Sequence, residues 1–176
     1  MPQPEVWLRG PIPAIPPLMQ PVAHGLMQCR EELAARVSGL TSDQIWARPL
    51  GAASVGFHAR HAAGSLDRLL TYARGESLSS AQQAALAAEE HPDFTPHIDR
   101  QLVAAFDEAV ERALEQLRMT NEATLLEARG VGRAQLPSTV LGLLFHAAEH
   151  TQRHVGQLVT TVKALSSLAP PIAPIG

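Results

Sequence analysis

Apolar residues recur at every third or fourth position through most of this chain, which is the spacing of amphipathic helices. The clearest stripe runs through Ile98, Leu102, Phe106 and Val110, with charged residues on the opposite face. Helical spacing of this kind predicts four long helices, over residues 18–38, 54–73, 95–118 and 137–166. Because neighbouring long helices of this amphipathic type bury their apolar stripes against one another, the pattern predicts an all-α four-helix bundle.

The segments between the long helices lack this regular spacing. A connector over residues 40–53 has room for one short turn, and Trp46 is expected to close the end of the bundle. The Ala- and Gln-rich segment 79–90 predicts a short extra helix between the second and third long helices. Residues 121–128 predict one or two further turns, and the glycine-containing segment 129–132 predicts a flexible break.

Proline dominates both ends of the chain. Six prolines within residues 1–17 remove amide donors and block helix formation, so this arm is expected to be extended, draped over the bundle or disordered. Residues 167–176 form a second proline-rich segment, a tail that cannot be helical. The predicted organisation is therefore an arm at 1–17, one bundle domain at 18–166 and a tail at 167–176, which suits a length of 176 residues.

Composition narrows the expected partners and compartment. The net charge is −3 and the basic residues are scattered, so nothing favours nucleic-acid binding, and none is expected. No apolar run approaches the roughly 20 residues of a membrane span, so no membrane contact is expected. The start of the chain lacks the pattern of a signal peptide, and Cys29 is the single cysteine. These features predict a cytoplasmic protein.

Histidine supplies the candidate chemistry. His146, His150 and His154 follow one another at intervals of four, which places them along one side of a helix. Two neutral imidazoles four residues apart can bind one divalent metal ion. A third ligand is expected from the second long helix, either His61 or His58, because metal sites in bundles are built from facing helices.

The donor set limits the metal and the chemistry. Three imidazoles without a carboxylate suit Zn²⁺, Ni²⁺ or Fe²⁺. Three protein ligands also leave a coordination position open, which is typical of a catalytic site. The stretch His146-x-x-Glu149-His150 matches the inverted zinc-protease motif as well, but that motif requires a further acidic ligand downstream. No Asp or Glu follows Glu149, so the protease interpretation is rejected.

A family resemblance lies in these residues. The stretch His150-Thr-Gln-Arg-His154-Val-Gly-Gln resembles the H-x-x-x-H-x-G-Q signature of the DinB/YfiT superfamily. Members of that superfamily are four-helix bundles in which two histidines of the last helix and one of the second bind a divalent metal. Residues 54–68 are similar to the segment that donates the first of these histidines, and the resemblance extends over residues 18–166.

The resemblance implies a particular ligand set. Matched residue by residue, the metal triad falls on His61, His150 and His154, with His58 as the second choice on its helix. His146 lies outside the family pattern, where it is a possible fourth ligand, a hydrogen-bond partner of a ligand or a substrate contact.

The resemblance also implies a function. Characterised members include S-transferases and isomerases that use a low-molecular-weight thiol such as bacillithiol, mycothiol or glutathione. A metal-dependent thiol S-transferase that acts on a small electrophile is therefore expected, as a homodimer, with Arg68 or Arg153 as candidates for steering a carboxylate. Two alternatives stay open: a non-catalytic, stress-associated metal-binding protein, and a metal-dependent hydrolase.

Overall fold

The fold is mostly helical. The computed structural model of the chain describes residues 3–168, which contain the helices α1 (Gln20–Val37), α2 (Ser42–Trp46), α3 (Val55–Ala73), α4 (Ser80–Ala88), α5 (Ile98–Met119) and α6 (Val140–Leu168) and the antiparallel strands β1 (Ala128–Val131) and β2 (Leu136–Thr139). The four long helices lie within about two residues of their predicted positions, except for later starts at α5 and α6. Within residues 3–168, no helix combines the length and the apolar character that a membrane crossing requires.

The long helices share one core. Helices α1 and α3 do not pack mainly on each other; each of them packs against both α5 and α6. Leu26 and Leu33 of α1, Phe106 of α5, and Leu144 and Leu158 of α6 are almost fully buried between them. Burying one side chain of this size contributes about 1.5–3 kcal/mol relative to leaving it in water. The apolar stripes therefore fix which face of each helix turns inward.

The prediction of a flexible break at residues 129–132 is wrong. These residues form most of β1 and the turn that follows it, and Arg129 pairs with Ser138 across the hairpin. Two positive φ angles make the turn, 68° at Gly132 and 50° at Gln135. Arg129 Nε also donates a hydrogen bond to the carbonyl oxygen of Ala73, so the hairpin is attached to the end of α3. The last long helix consequently begins at Val140, after the strand, and not near residue 137.

The N-terminal arm packs on the helices. A short 3₁₀ turn runs from Val6 to Arg9, and the side chains of Val6 and Ile15 are buried. The arm contacts two residues of α1: the backbone amide of Val6 donates a hydrogen bond to Gln28 Oε1, and Arg9 forms an ion pair with Glu31. Of the two expected states of the arm, the draped one is therefore observed. At the other end α6 continues to residue 168, and residues 169–176 of the predicted tail lie outside the described residues.

The predicted extra helix is α4, and it packs unusually. None of its side chains is buried. Gln82 holds it to α3 through hydrogen bonds to Asp67 and Thr71. Trp46 is buried against α3, in agreement with the prediction that it closes one end of the packed helices. Its indole ring lies so close to Gly56 that a Cβ at that position would be 2.6 Å from the ring.

Cys29 on α1 is 2 % exposed, and burial, reinforced by the negative charge of Glu32, raises the pKa of its thiol to about 12. Since the thiolate is the reactive form, we expect the folded protein to resist a disulfide-exchange reagent at pH 8 for hours and to react fully within seconds in denaturant. Absorbance of the released chromophore measures this, with Cys29→Ser as the blank. Rapid labelling of the folded protein would contradict the burial of this side chain.

Candidate metal centre

Three histidines meet where α3 packs against α6. The ring centroid of His61 on α3 lies 4.3 Å from that of His154 and 5.2 Å from that of His150, both on α6. The two α6 rings are 4.6 Å apart. One ring nitrogen from each histidine lies within 4.8 Å of the other two. The three histidines are therefore positioned to hold a metal ion, and each is partly buried.

The surroundings of His150 and His154 favour neutral imidazoles. Burial, followed by the neighbouring His61 and His150, lowers the pKa of His154 to about 4. Burial is also the main cause of the lowered pKa of His150. At neutral pH both rings therefore keep a lone pair free, and neutral imidazole is the form that binds a metal.

Glu89 orients His61, a role that no motif in the sequence indicates. Glu89 Oε2 accepts a 2.7 Å hydrogen bond from His61 Nδ1, and Glu89 Oε1 accepts a 2.8 Å bond from Arg68 Nη1. Burial acts to raise the pKa of Glu89, but these two donors outweigh it and hold the pKa below its usual value. Because Nδ1 of His61 donates to a carboxylate, its Nε2 is left as the metal-facing nitrogen, an arrangement common behind histidine ligands.

Local packing makes room for this carboxylate. A Cβ on Gly64 would lie 2.7 Å from both Arg68 Nη1 and Glu89 Oε1, so a larger residue here would force the ends of these two side chains to shift. Arg68, one of the two candidates for steering a substrate carboxylate, is buried, and its guanidinium forms an ion pair with Glu89. Arg153, the other candidate, is 54 % exposed and forms an ion pair with Glu149.

His58 and His146 take different positions from the three central histidines. His58 is buried, with Nδ1 3.2 Å from Nδ1 of His154. His146 has a side chain that is 49 % exposed, and its Nδ1 lies 3.1 Å from Glu149 Oε2. The structure therefore places His58 behind a central histidine and His146 at the rim.

The donor set fits a divalent cation. Nε2 of His61 and Nε2 of His150 lie 3.0 Å apart, and a cation between them satisfies both lone pairs. Within residues 3–168, His150 Nδ1 is the one buried side-chain nitrogen or oxygen that has no hydrogen-bond partner. That atom is not the nitrogen of His150 that faces His61. The neutral imidazoles of His150 and His154 and the carboxylate behind His61 are each features of a histidine metal site.

Removing two of the central imidazoles tests the site directly. We expect a His150→Ala/His154→Ala variant, purified without a histidine tag, to retain less than about a tenth of the metal bound by the unaltered chain, because one imidazole alone holds a metal weakly. Elemental analysis after loading and gel filtration measures this. His91→Ala/His97→Asn removes two exposed histidines as a matched control and should retain full metal. Equal metal in the two variants would exclude this site.

Glu89→Gln tests the carboxylate behind His61. The change keeps the shape of the side chain but removes its charge, and loss of such a supporting group typically weakens metal binding about 10- to 100-fold. Competition with a chromophoric chelator measures the affinity. Glu108→Gln, an exposed carboxylate on α5, is the control and should bind as the unaltered chain does. Unchanged affinity in a Glu89→Gln variant with a cooperative thermal transition would contradict the orienting role.

Comparison with known proteins agrees with this geometry. A search of curated proteins found no match. The family model described as the DinB superfamily matches residues 26–158, which include most of α1, all of α3 and α5, and the part of α6 that carries His150 and His154. The match covers well over half of the sequence, and the chain belongs to the DinB superfamily.

Proposed function

We propose that this chain binds one divalent metal ion through His61, His150 and His154, with Zn²⁺, Ni²⁺ and Fe²⁺ as the candidates. The observation that carries the proposal is the convergence of three ring nitrogens within 4.8 Å, between two helices that pack along each other. Two supporting contacts strengthen it: the carboxylate of Glu89 behind His61 and the imidazole of His58 behind His154. Orienting contacts of this kind accompany most histidine ligands in metalloproteins.

The site is proposed to be catalytic, not structural. A structural zinc site has four protein ligands, whereas a catalytic site keeps a position for water or substrate. The best candidate for a fourth ligand was His146, but its ring is half exposed and its Nδ1 faces Glu149. His58 is occupied with His154. Among the described residues, the proposed site therefore has three protein ligands and one open coordination position.

The proposed reaction is thiol S-transfer to a small electrophile, as in characterised members of this superfamily. When bound, the metal favours the thiolate form of a thiol that coordinates it. The thiol proton passes to solvent, sulfur forms a bond to the electrophilic carbon, and the leaving group departs with its electron pair. Glu89 and His58 hold the ligand rings in place, and Phe57, stacked on His61 at 5.3 Å between ring centroids, shields one side of the cluster from water.

We also make proposals about the bundle, the oligomeric state, the compartment and the partners of the protein. The four long helices are proposed to form the DinB-type four-helix bundle over residues 18–166, preceded by the arm at 1–17. We also propose a homodimeric, cytoplasmic protein without nucleic-acid or membrane partners. Light scattering over a wide concentration range tests the dimer, and a constant monomer mass would exclude it.

Metal-dependent thiol consumption tests the activity. We expect zinc-, nickel- or iron-loaded protein to accelerate the reaction of cysteine, glutathione or bacillithiol with an activated aryl halide. Chelation, or the His150→Ala/His154→Ala change, should lower the rate at least about 100-fold, because a metal supplies several kcal/mol of charge stabilisation. Loss of thiol and appearance of the conjugate are followed by absorbance and mass spectrometry. The His91→Ala/His97→Asn variant should keep the full rate.

The outcomes separate the alternatives. Metal binding with turnover of an activated ester in the absence of any thiol would replace S-transfer by metal-dependent hydrolysis. Metal binding with neither activity, across the thiols tested, would favour a non-catalytic, stress-associated metal-binding protein. Absence of metal binding would overturn all three assignments.

A further inference from the structure

A small cavity adjoins the three central histidines. Trp46, Arg48, Phe57, Glu90 and Pro92 line it, and its volume is about 190 Å³. Phe57 belongs both to this cavity and to the metal centre, because its ring stacks on His61 and lies 6.3 Å, between centroids, from that of His154. The cavity is therefore separated from the imidazoles by one aromatic ring. We call it the Trp46 cavity.

The walls of the Trp46 cavity are held in place. The indole Nε1 of Trp46 donates a 2.7 Å hydrogen bond to the carbonyl oxygen of Asp93. The guanidinium of Arg60 lies 4.7 Å from the Trp46 ring centroid and donates to the carbonyl oxygens of Ala88 and His91. Arg60 also forms an ion pair with Asp93. The segment that carries Glu90 and Pro92 is thus fastened to α2 and α3 at several points.

Glu89 adds an attachment that involves the metal centre. It precedes Glu90 directly, and its carboxylate is buried between His61 and Arg68. The position of Glu90 in the cavity wall is consequently linked to the position of a candidate metal ligand. Adjacent residues of one segment face the two sites.

The Trp46 cavity carries two opposite charges that have no partners. Arg48 belongs to the segment between α2 and α3, and Glu90 to the segment after α4. Within residues 3–168, neither side chain forms an ion pair or a side-chain hydrogen bond, whereas the arginines nearest the site, Arg60, Arg68 and Arg153, are all paired. A cavity with a free cation, a free anion and two aromatic rings matches a ligand group that carries both charges.

We infer that the Trp46 cavity binds an α-amino-acid group, with its carboxylate on Arg48 and its ammonium on Glu90. A volume of about 190 Å³ is below the roughly 300–1,000 Å³ of sites for whole drug-sized ligands, so it suits a head group of this size. Arg48 and Glu90 are both exposed, so each pairing contributes modestly; a zwitterion gains both pairings and a singly charged ligand gains one, which gives preference to the zwitterion. The cavity's preference is independent of the proposed function. That the rest of the ligand extends past Phe57 and places a thiol at the metal centre rests on the proposed function.

A thiol-free ligand tests the cavity alone. In a Trp7→Phe background, Trp46 is the single tryptophan and its fluorescence reports binding. We expect S-methyl-L-cysteine to change this fluorescence saturably in the metal-free protein. The analogues S-methylcysteamine, which lacks the carboxylate, and 3-(methylthio)propionate, which lacks the ammonium, should each bind roughly three- to fivefold more weakly, as expected for exposed ion pairs.

Variants of the two charges assign each contact. Arg48→Gln should weaken binding of S-methyl-L-cysteine by roughly three- to fivefold and leave S-methylcysteamine unaffected, because that analogue has no carboxylate to lose. Glu90→Gln should weaken binding of S-methyl-L-cysteine by a similar factor and leave 3-(methylthio)propionate unaffected, because that analogue has no ammonium to lose. Arg36→Gln removes another exposed arginine, on α1, and should change neither affinity. Equal affinity for all three ligands, no effect of either charge variant, or no fluorescence change would each overturn the inference.

A second measurement separates this inference from the proposed function. In Co²⁺-loaded protein, a thiolate that coordinates the metal gives a charge-transfer band. L-cysteine should give this band at lower concentration than cysteamine, and Arg48→Gln should remove the difference. If S-methyl-L-cysteine binds but no thiol gives the band, the cavity is retained and the thiol proposal fails, so the amino-acid group belongs to another substrate. If all thiols give the band at equal concentrations, the proposed function is retained and the cavity contributes nothing to thiol selection.

Discussion

The site depends on the contacts that the buried carboxylate of Glu89 makes. The carboxylate lies between the imidazole of His61 and the guanidinium of Arg68, and 4 % of Glu89 is exposed. An isolated carboxylate at such a position is strongly unfavourable, so the two donors are a condition of its burial. Because His61 gives Nδ1–H to this carboxylate, the ring is held with Nε2 toward α6. One ion pair therefore fixes a candidate metal ligand and anchors the segment that follows α4.

Helix spacing was enough to predict the four long helices and the pair on α6. Both depend on local periodicity, which the sequence displays directly. The hairpin of β1 and β2 was missed because its strands have four residues each and show no clear alternation of apolar and polar positions. Its turn also uses a positive φ at Gln135, which is not a residue that signals such a conformation. Strands as short as these leave little trace in a sequence.

Local sequence patterns could not identify His61 as the third histidine or Glu89 as its partner. His58 and His61 are both on the face of α3 that meets α6, so spacing alone left either as a ligand, and the superfamily resemblance favoured His61. Packing separates them, because Nε2 of His61 faces His150 whereas His58 contacts His154 from behind. Glu89 lies 28 residues after His61, directly after the end of α4. A pairing over that distance is decided by tertiary structure.

The unusual packing of α4 has an explanation in these contacts. A helix that buries none of its side chains adds little to the core, so its sequence is free of the apolar stripe seen elsewhere. What the segment delivers is at its end, where Glu89 reaches the histidines and Glu90 lines the Trp46 cavity. Arg60 and Trp46 hold this end against α3. The segment between α3 and α5 therefore serves to position two adjacent carboxylates, Glu89 and Glu90, and not to fill the core.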